Sequence, residues 1–137
     1  MNETTGAAAV LDASAVLALM RNEAGGEQVR RAVDVGALIS VVNWAEVLAN
    51  LVVGSTDPYE VTAMALPGGP ATRLQLVPFD DGQARESARL VRYTRSLGLS
   101  LGDRAALALA QTSRLRVLTT DRAWRSLRLP IRIEVIR

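Results

Sequence analysis

The sequence predicts an α/β fold: short strand-like runs alternate with helical stretches, which implies a largely parallel sheet covered on both faces. The run Ala7 to Leu11 is apolar throughout, as a strand buried on both sides is. At 137 residues, 49% of them hydrophobic, the chain is long enough for one domain with a sizeable core and too apolar to be disordered over most of its length.

Each element has a local reason. The first strand ends at Asp12, and Ser14 is a plausible N-cap for a helix over Ala15 to Asn22. A second helix follows Gly25–Gly26 and ends near Gly36. Leu38 to Val41 reads as a strand, and Trp44 to Val53 as an apolar helix stopped by Gly54. Asp57–Pro58 is a helix start, with Pro58 at the first helical position, and that helix ends before the Pro67–Gly68–Gly69–Pro70 breaker. Leu74 to Val77 is a strand. Asp80 to Leu97 is expected to be the longest helix, stopped by Gly98. A buried, Ala- and Leu-rich helix spans about Asp103 to Ser113, Arg116 to Leu118 is a strand, Arg122 to Leu127 a short helix, and Ile131 to Ile136 a last strand. No repeat interrupts this series, so residues 1–137 are expected to form a single domain, with residues 1–6 as a flexible tail.

The composition removes several chemistries. Cysteine and histidine are absent and all 16 cationic side chains are arginine. There is thus no disulfide, no thiolate nucleophile, no cysteine-ligated zinc and no Ser–His–Asp triad. No lysine and no GxxxxGK[ST] motif exclude a P-loop enzyme. Asp12 as an aspartyl nucleophile would lack the usual partner lysine. No apolar run approaches the roughly 20 residues of a membrane span, and no signal peptide is visible, so a cytoplasmic location is expected.

Four carboxylates sit at the edges of small or apolar runs: Asp12, Glu46, Asp103 and Asp121. Singly, each has a bland explanation. Asn43-Trp-Ala-Glu46 and Ser100-Leu-Gly-Asp103 have the form of capping boxes, Asp121 could cap the helix after it, and Asp12 could end a strand. Jointly they fall after strands or in first turns of helices. In a parallel sheet those positions share one edge, where ligands bind. Carboxylates gathered there repel one another unless a cation sits among them. An all-oxygen set suits Mg²⁺ or Mn²⁺, whose characteristic work is phosphodiester hydrolysis. Trp44 and Trp124 read as core or interface packing residues, with base stacking as the alternative their positions beside Glu46 and Asp121 leave open. Arg85, Arg89 and Arg92 recur at helical spacing beside Ala84, Ala88 and Val91, either as a solvated face beside an apolar stripe or as contacts for nucleic-acid phosphate.

The ordered set Asp12-Ala-Ser14, Asn43-Trp-Ala-Glu46, Leu101-Gly-Asp103 and Thr119-Thr-Asp121 resembles the PIN-domain ribonucleases, and more narrowly the VapC toxins of bacterial toxin–antitoxin pairs. The resemblance runs from about Ala7 to Arg137, and LGLSLGDRAALALAQTSRLRVLTTDRAW is its most specific part. It implies a three-layer α/β/α fold around a mostly parallel sheet of about five strands. Asp12, Glu46, Asp103 and Asp121 would form a catalytic pocket for one or two Mg²⁺ or Mn²⁺ ions. Ser14, Thr119 and Asn43 would orient ligands or water, and Arg104 and Arg122 would contact RNA phosphate. Also implied are a VapB-like antitoxin, operator DNA bound only through it, and a homodimer; the helices after Trp44 and Pro58 are candidate docking surfaces. The chain departs from the family at Ala123, where many members have another acid, and at Gly102-Asp103-Arg104, where small residues are common around the acid. Two alternatives stay open: a PIN-fold binding module with little nuclease activity, or another metal-dependent phosphodiesterase.

Overall fold

A computed structural model describes residues 8–54, 57 and 73–137 of the protein. Five strands, β1 (Ala9–Leu11), β2 (Ala37–Ser40), β3 (Leu74–Val77), β4 (Arg116–Thr119) and β5 (Ile133–Val135), form one sheet in the order β3-β2-β1-β4-β5, every pair parallel. Six α-helices accompany them among the described residues: α1 (Ala13–Met20), α2 (Gly26–Val35), α3 (Val41–Leu51), α4 (Asp81–Arg89), α5 (Val91–Thr94) and α6 (Leu101–Ser113). The helix expected from Pro58, the breaker at Pro67–Pro70 and the tail at residues 1–6 lie outside the described residues.

The sheet is covered on both faces, as the alternation of its side chains requires. Ala9, Leu11, Ala37, Ile39 and Leu118 pack with Val16, Val29, Val33, Trp44 and Val47 of α1, α2 and α3. Val10 and Val117 pack on the other side with Leu107, Leu109 and the alanines of α6, joined by Leu90 and Trp124. Neither β1 nor β4 has a solvent-facing side over these residues, which is why β1 reads as an unbroken apolar run. No helix among the described residues is long and apolar enough to cross a membrane.

Three boundaries differ from the sequence expectation, each for a physical reason. Helix α1 is capped by Asp12, whose Oδ1 accepts from the Ala15 amide at 2.9 Å; Ser14 lies inside the first turn. Asp and Ser are near-equal caps, so only the end of β1 decides between them. Helix α3 begins at Val41 directly after β2, capped by Ser40, whose Oγ accepts from the Val42 amide. Asn43 is therefore a residue of the helix, and Asn43–Glu46 is not a capping box.

The long helix expected over Asp80 to Leu97 is broken into α4, α5 and a 3-10 turn at Arg95–Leu97, ended by Gly98 at φ 59°. Val91, Tyr93 and Thr94 are weak helix formers. The Thr94 hydroxyl donates to the Leu90 carbonyl at 2.9 Å, the back-bonding that bends helices. The break also changes the buried stripe: Ser87, Leu90 and Thr94 face inward, while Ala84, Ala88 and Val91 are exposed. Arg85 and Arg89 lie on the solvated side, paired with Asp81 and Glu86.

Candidate active site

Because β1, β2 and β4 are parallel and in register, their C-terminal ends open on one edge of the sheet. Asp12 follows β1 there, Thr119 ends β4, and α3 starts where β2 stops. Asp12 is 6% exposed and its carboxylate is held from three sides. Ser14 Oγ donates to Oδ1 at 2.6 Å, Thr119 Oγ1 donates to Oδ2 at 2.5 Å, and the Ala15 amide completes the set. Both hydroxyls accept a backbone N–H as well, Ser14 from Thr120 at 3.0 Å and Thr119 from Asp121 at 3.1 Å. An amide can only donate, so both hydroxyl protons are committed to Asp12. Burial pushes the Asp12 carboxyl up to about 6; the Ser14, Thr119 and Ala15 hydrogen bonds oppose that rise, and the charge of Asp103 adds to it.

Asp103 occupies the third position of α6 in the expected capping box: its amide donates to Ser100 Oγ, and the Ser100 amide donates to Asp103 Oδ2, both at 3.1 Å. Glu46 reaches the same first turn from α3. Its carboxylate lies so close over Gly102 that a Cβ there would sit 2.5 Å from Oε2 and 2.7 Å from Oε1. Asn43, 1% exposed, ties the pieces together. Its Nδ2 donates to Glu46 Oε1 at 3.0 Å and to the Gly102 carbonyl at 2.9 Å. Replacing Asn43 with alanine is expected to destabilise the fold by about 1–3 kcal/mol, because a buried carbonyl loses its donor. Were the acids to hold the divalent ion expected from the sequence, the same change would weaken its binding by about 10–100-fold through the released Glu46. Urea denaturation and Mn²⁺ titration measure the two effects separately.

The remaining expected residues are placed less centrally. Asp121 is exposed and caps the 3-10 turn Arg122–Ser126 through the Ala123 amide at 3.0 Å; it joins the group only through its own backbone N–H to Thr119. Arg104 Nη1 donates to the Leu99 carbonyl at 2.8 Å, and Arg122 Nε to the Arg137 carbonyl at 3.3 Å. Trp44 and Trp124 are buried at 7% and 0% exposure, so neither offers a ring face to a base. Gly102 is the site residue that sequence reasoning missed. Its signal was a glycine in the first turn of an otherwise strong helix, a position that costs up to about 1 kcal/mol against alanine.

A family model, the PIN domain, matches residues 9–129, nearly the whole described chain. The chain belongs to the PIN-domain family. Solved structures with a similar fold include a toxin–antitoxin complex from Klebsiella pneumoniae, 22% identical over 86% of this chain and 91% of that one, with a TM-score of 0.65. DNA-bound VapBC from Salmonella typhimurium is 20% identical over 91% and 95%, with a TM-score of 0.66. VapBC-5 from Mycobacterium tuberculosis, a member of the VapBC toxin–antitoxin family, is 27% identical over 96% and 98%, with a TM-score of 0.51. No curated protein sequence matches at a significant level.

PIN domains are generally nucleases and typically use divalent metals. The donors of this PIN domain fit a hard ion: they are oxygens only, and Asp12 is a dehydrated carboxyl whose raised pKa a cation would bring down. The fit is one of chemistry before geometry. Asp103 and Glu46 are held by Ser100 and Asn43, and among the described residues no three acids stand together in a metal-holding group.

Proposed function

We propose that this PIN domain is a Mg²⁺- or Mn²⁺-dependent endoribonuclease, the toxin of a VapBC-type pair. The observation that carries the reading is Asp12: a carboxylate buried at the end of the central strand, locked by two hydroxyls and raised to about 6 by burial. Asp12, Asp103 and Glu46 would hold the ion, with Asp121 at the rim. A bound ion there supplies a polarised phosphoryl oxygen and an activated water. Ser14 and Thr119 keep the Asp12 oxygens fixed during the reaction. With no histidine in the chain, imidazole takes no part in proton transfer. Cleavage leaves a 5′-phosphate and a 3′-hydroxyl.

The partner in this reading is a VapB-like antitoxin, which also carries the complex to operator DNA. The similar solved structures, described as toxin–antitoxin complexes and some of them bound to DNA, support it. A homodimer acting in the cytoplasm completes the proposal. One observation favours a second reading, a binding module with little nuclease activity: the acids as placed do not converge. Incubating the partner-free protein with total RNA and Mg²⁺ or Mn²⁺, then mapping new 5′ ends, decides between them. Cleavage that EDTA abolishes is expected; intact RNA at micromolar protein overturns the nuclease reading in favour of the second.

A further inference from the structure

We propose that an arginine-walled groove at the opposite end of the sheet from Asp12 is a second binding surface for RNA, gripping its sugar–phosphate chain away from the cleavage site. This rests on the reading of RNA as the substrate and extends it to a part of the molecule that the acids do not touch.

The charge of the chain is unevenly distributed. From Asp80 onward there are 12 arginines against 6 acids, whereas residues 1–79 carry 4 against 8. A general preference for arginine over lysine would spread evenly along the chain, so the preference alone does not account for this. The excess meets a concave surface. A cavity of about 530 Å³ lies where β4 and β5 begin, lined by Arg114, Arg116 and Arg132. Gln111 and Pro130 line both this cavity and a neighbouring one of about 330 Å³, whose wall includes Tyr93, Arg128 and Arg89, the last paired with Glu86 at 3.5 Å. The two adjoin at these shared residues. Arg116 lies three residues before Thr119 on β4, so about 10 Å of strand separates the groove from the carboxylate edge.

The arginines divide into anchored and unpartnered groups. Arg116 and Arg132 share Glu134, at 2.7 and 3.1 Å, which holds the half-buried Arg116 at the groove wall and pairs the exposed Arg132 beside it. Among the described residues, the side chains of Arg114 and Arg128 make no hydrogen bond or ion pair. Arg114 also holds the left-handed C-cap of α6 at φ 58°, where glycine or asparagine is the low-energy choice. Gln111 Oε1 is buried without a partner. Guanidinium groups grip phosphate in a bidentate manner; Gln111 lines both cavities, and its amide would have to turn outward for the oxygen to accept from a 2′-hydroxyl. Tyr93, 54% exposed, adds a ring on which a base can stack. An acidic protein segment would also match the arginines, but it carries no ribose hydroxyls, and RNA-independent binding of such a segment in place of the hairpin counts against the assignment.

The test compares Arg114→Asn/Arg128→Gln/Arg132→Gln with its parent, both in an Asp12→Asn background that blocks cleavage. Asparagine suits the left-handed backbone at position 114, and thermal melting confirms folding. Fluorescence anisotropy is read with a labelled RNA hairpin of about 30 nucleotides and a single strand of about six, across a salt series. The triple variant should bind the hairpin at least about 10-fold more weakly, with a log K against log salt slope shallower by about two, and bind the short strand as its parent does. A DNA hairpin should bind more weakly than RNA and lose less on substitution. Arg128→Gln alone, at an exposed position, should show a smaller loss in the same direction. Unchanged hairpin affinity and slope overturn the groove, and a DNA hairpin bound as tightly overturns its assignment to RNA. With Asp12 restored, cleavage of RNA combined with arginine-independent binding removes the groove alone. Arginine-dependent binding without any cleavage removes the nuclease reading alone.

Discussion

Asp12→Asn should reduce RNA cleavage by at least about 100-fold while raising the stability of the metal-free protein at pH 7.5; the lower bound is set by what loss of a mere supporting hydrogen bond costs a metal site. The second half follows from burial. The Asp12 carboxyl stands near 6 against an ordinary 3.8, so the folded chain keeps this proton to a higher pH than the unfolded chain does. The fold therefore has its full stability, as far as this group is concerned, below about pH 4 and loses it as pH rises through 3.8 to about 6. A shift of this size corresponds to up to about 3 kcal/mol at neutral pH. Asparagine carries no charge and escapes the loss, at the expense of re-aiming the Thr119 hydroxyl.

Urea denaturation in EDTA at pH 4.5 and 7.5 checks this: the variant's advantage should be large at the higher pH and shrink at the lower. Added Mg²⁺ should stabilise the parent and leave the variant unmoved. A variant that is less stable than its parent at pH 7.5 sinks the account of Asp12 as a dehydrated acid.

Gly102→Ala should separate site from fold most sharply. The added methyl would fall 2.5 to 2.7 Å from the Glu46 carboxylate. That group is the far end of a flexible side chain, so it can swing aside with little harm to packing. In a helix, alanine also improves on glycine by up to about 1 kcal/mol. The expected result is a protein as stable as the parent, or more so, with Mn²⁺ affinity and cleavage reduced about 10–100-fold, the range for lost support of a metal ligand. Glu46→Asp in the alanine background shortens the side chain by one methylene and should recover part of the affinity. Undiminished Mn²⁺ binding by Gly102→Ala would show that Glu46 has no part in holding the ion.

Much of the scaffold could be read from residue types alone. The apolar run ending at Asp12, the Gly25–Gly26 and Gly36 brackets of α2, and Leu74 to Val77 all carry strong local signals, and the structure places elements there. Boundaries failed where two residues compete for one role. Asp12 and Ser14 are equivalent caps by propensity, and so are Ser40 and Asn43; the choice is made by where β1 and β2 stop pairing, which is tertiary information. The helix from Asp80 failed differently. Arg85, Arg89 and Arg92 keep helical spacing, and the weak helix formers Val91, Tyr93 and Thr94 are the one local hint of a break; the burial of Thr94 and its bond back to Leu90 are visible only in the fold.

The sequence offered the candidate site only as four acids at strand and helix ends; the structure buries Asp12 at the end of β1, leaves Asp121 exposed, and brings no three acids together among the described residues. Ser14 and Thr119 emerge as direct holders of Asp12, and Asn43 as a clamp between α3 and α6 in place of a cap. Gly102 could not be weighed without the approach of Glu46, because a missing side chain has no signature beyond its cost.

The grip of Thr119 on Asp12 joins residues separated by 107 positions, through the pairing of β4 with β1. Contacts of such sequence separation form late, after loop-closure entropy has been overcome. During synthesis the first strand and its acid emerge long before the hydroxyl that fixes them. A nascent chain therefore cannot assemble this pocket until Thr119 has been added and β4 has docked. For a protein of the proposed activity, that delay keeps the cleavage machinery incomplete during most of its own translation, when the encoding message lies within reach.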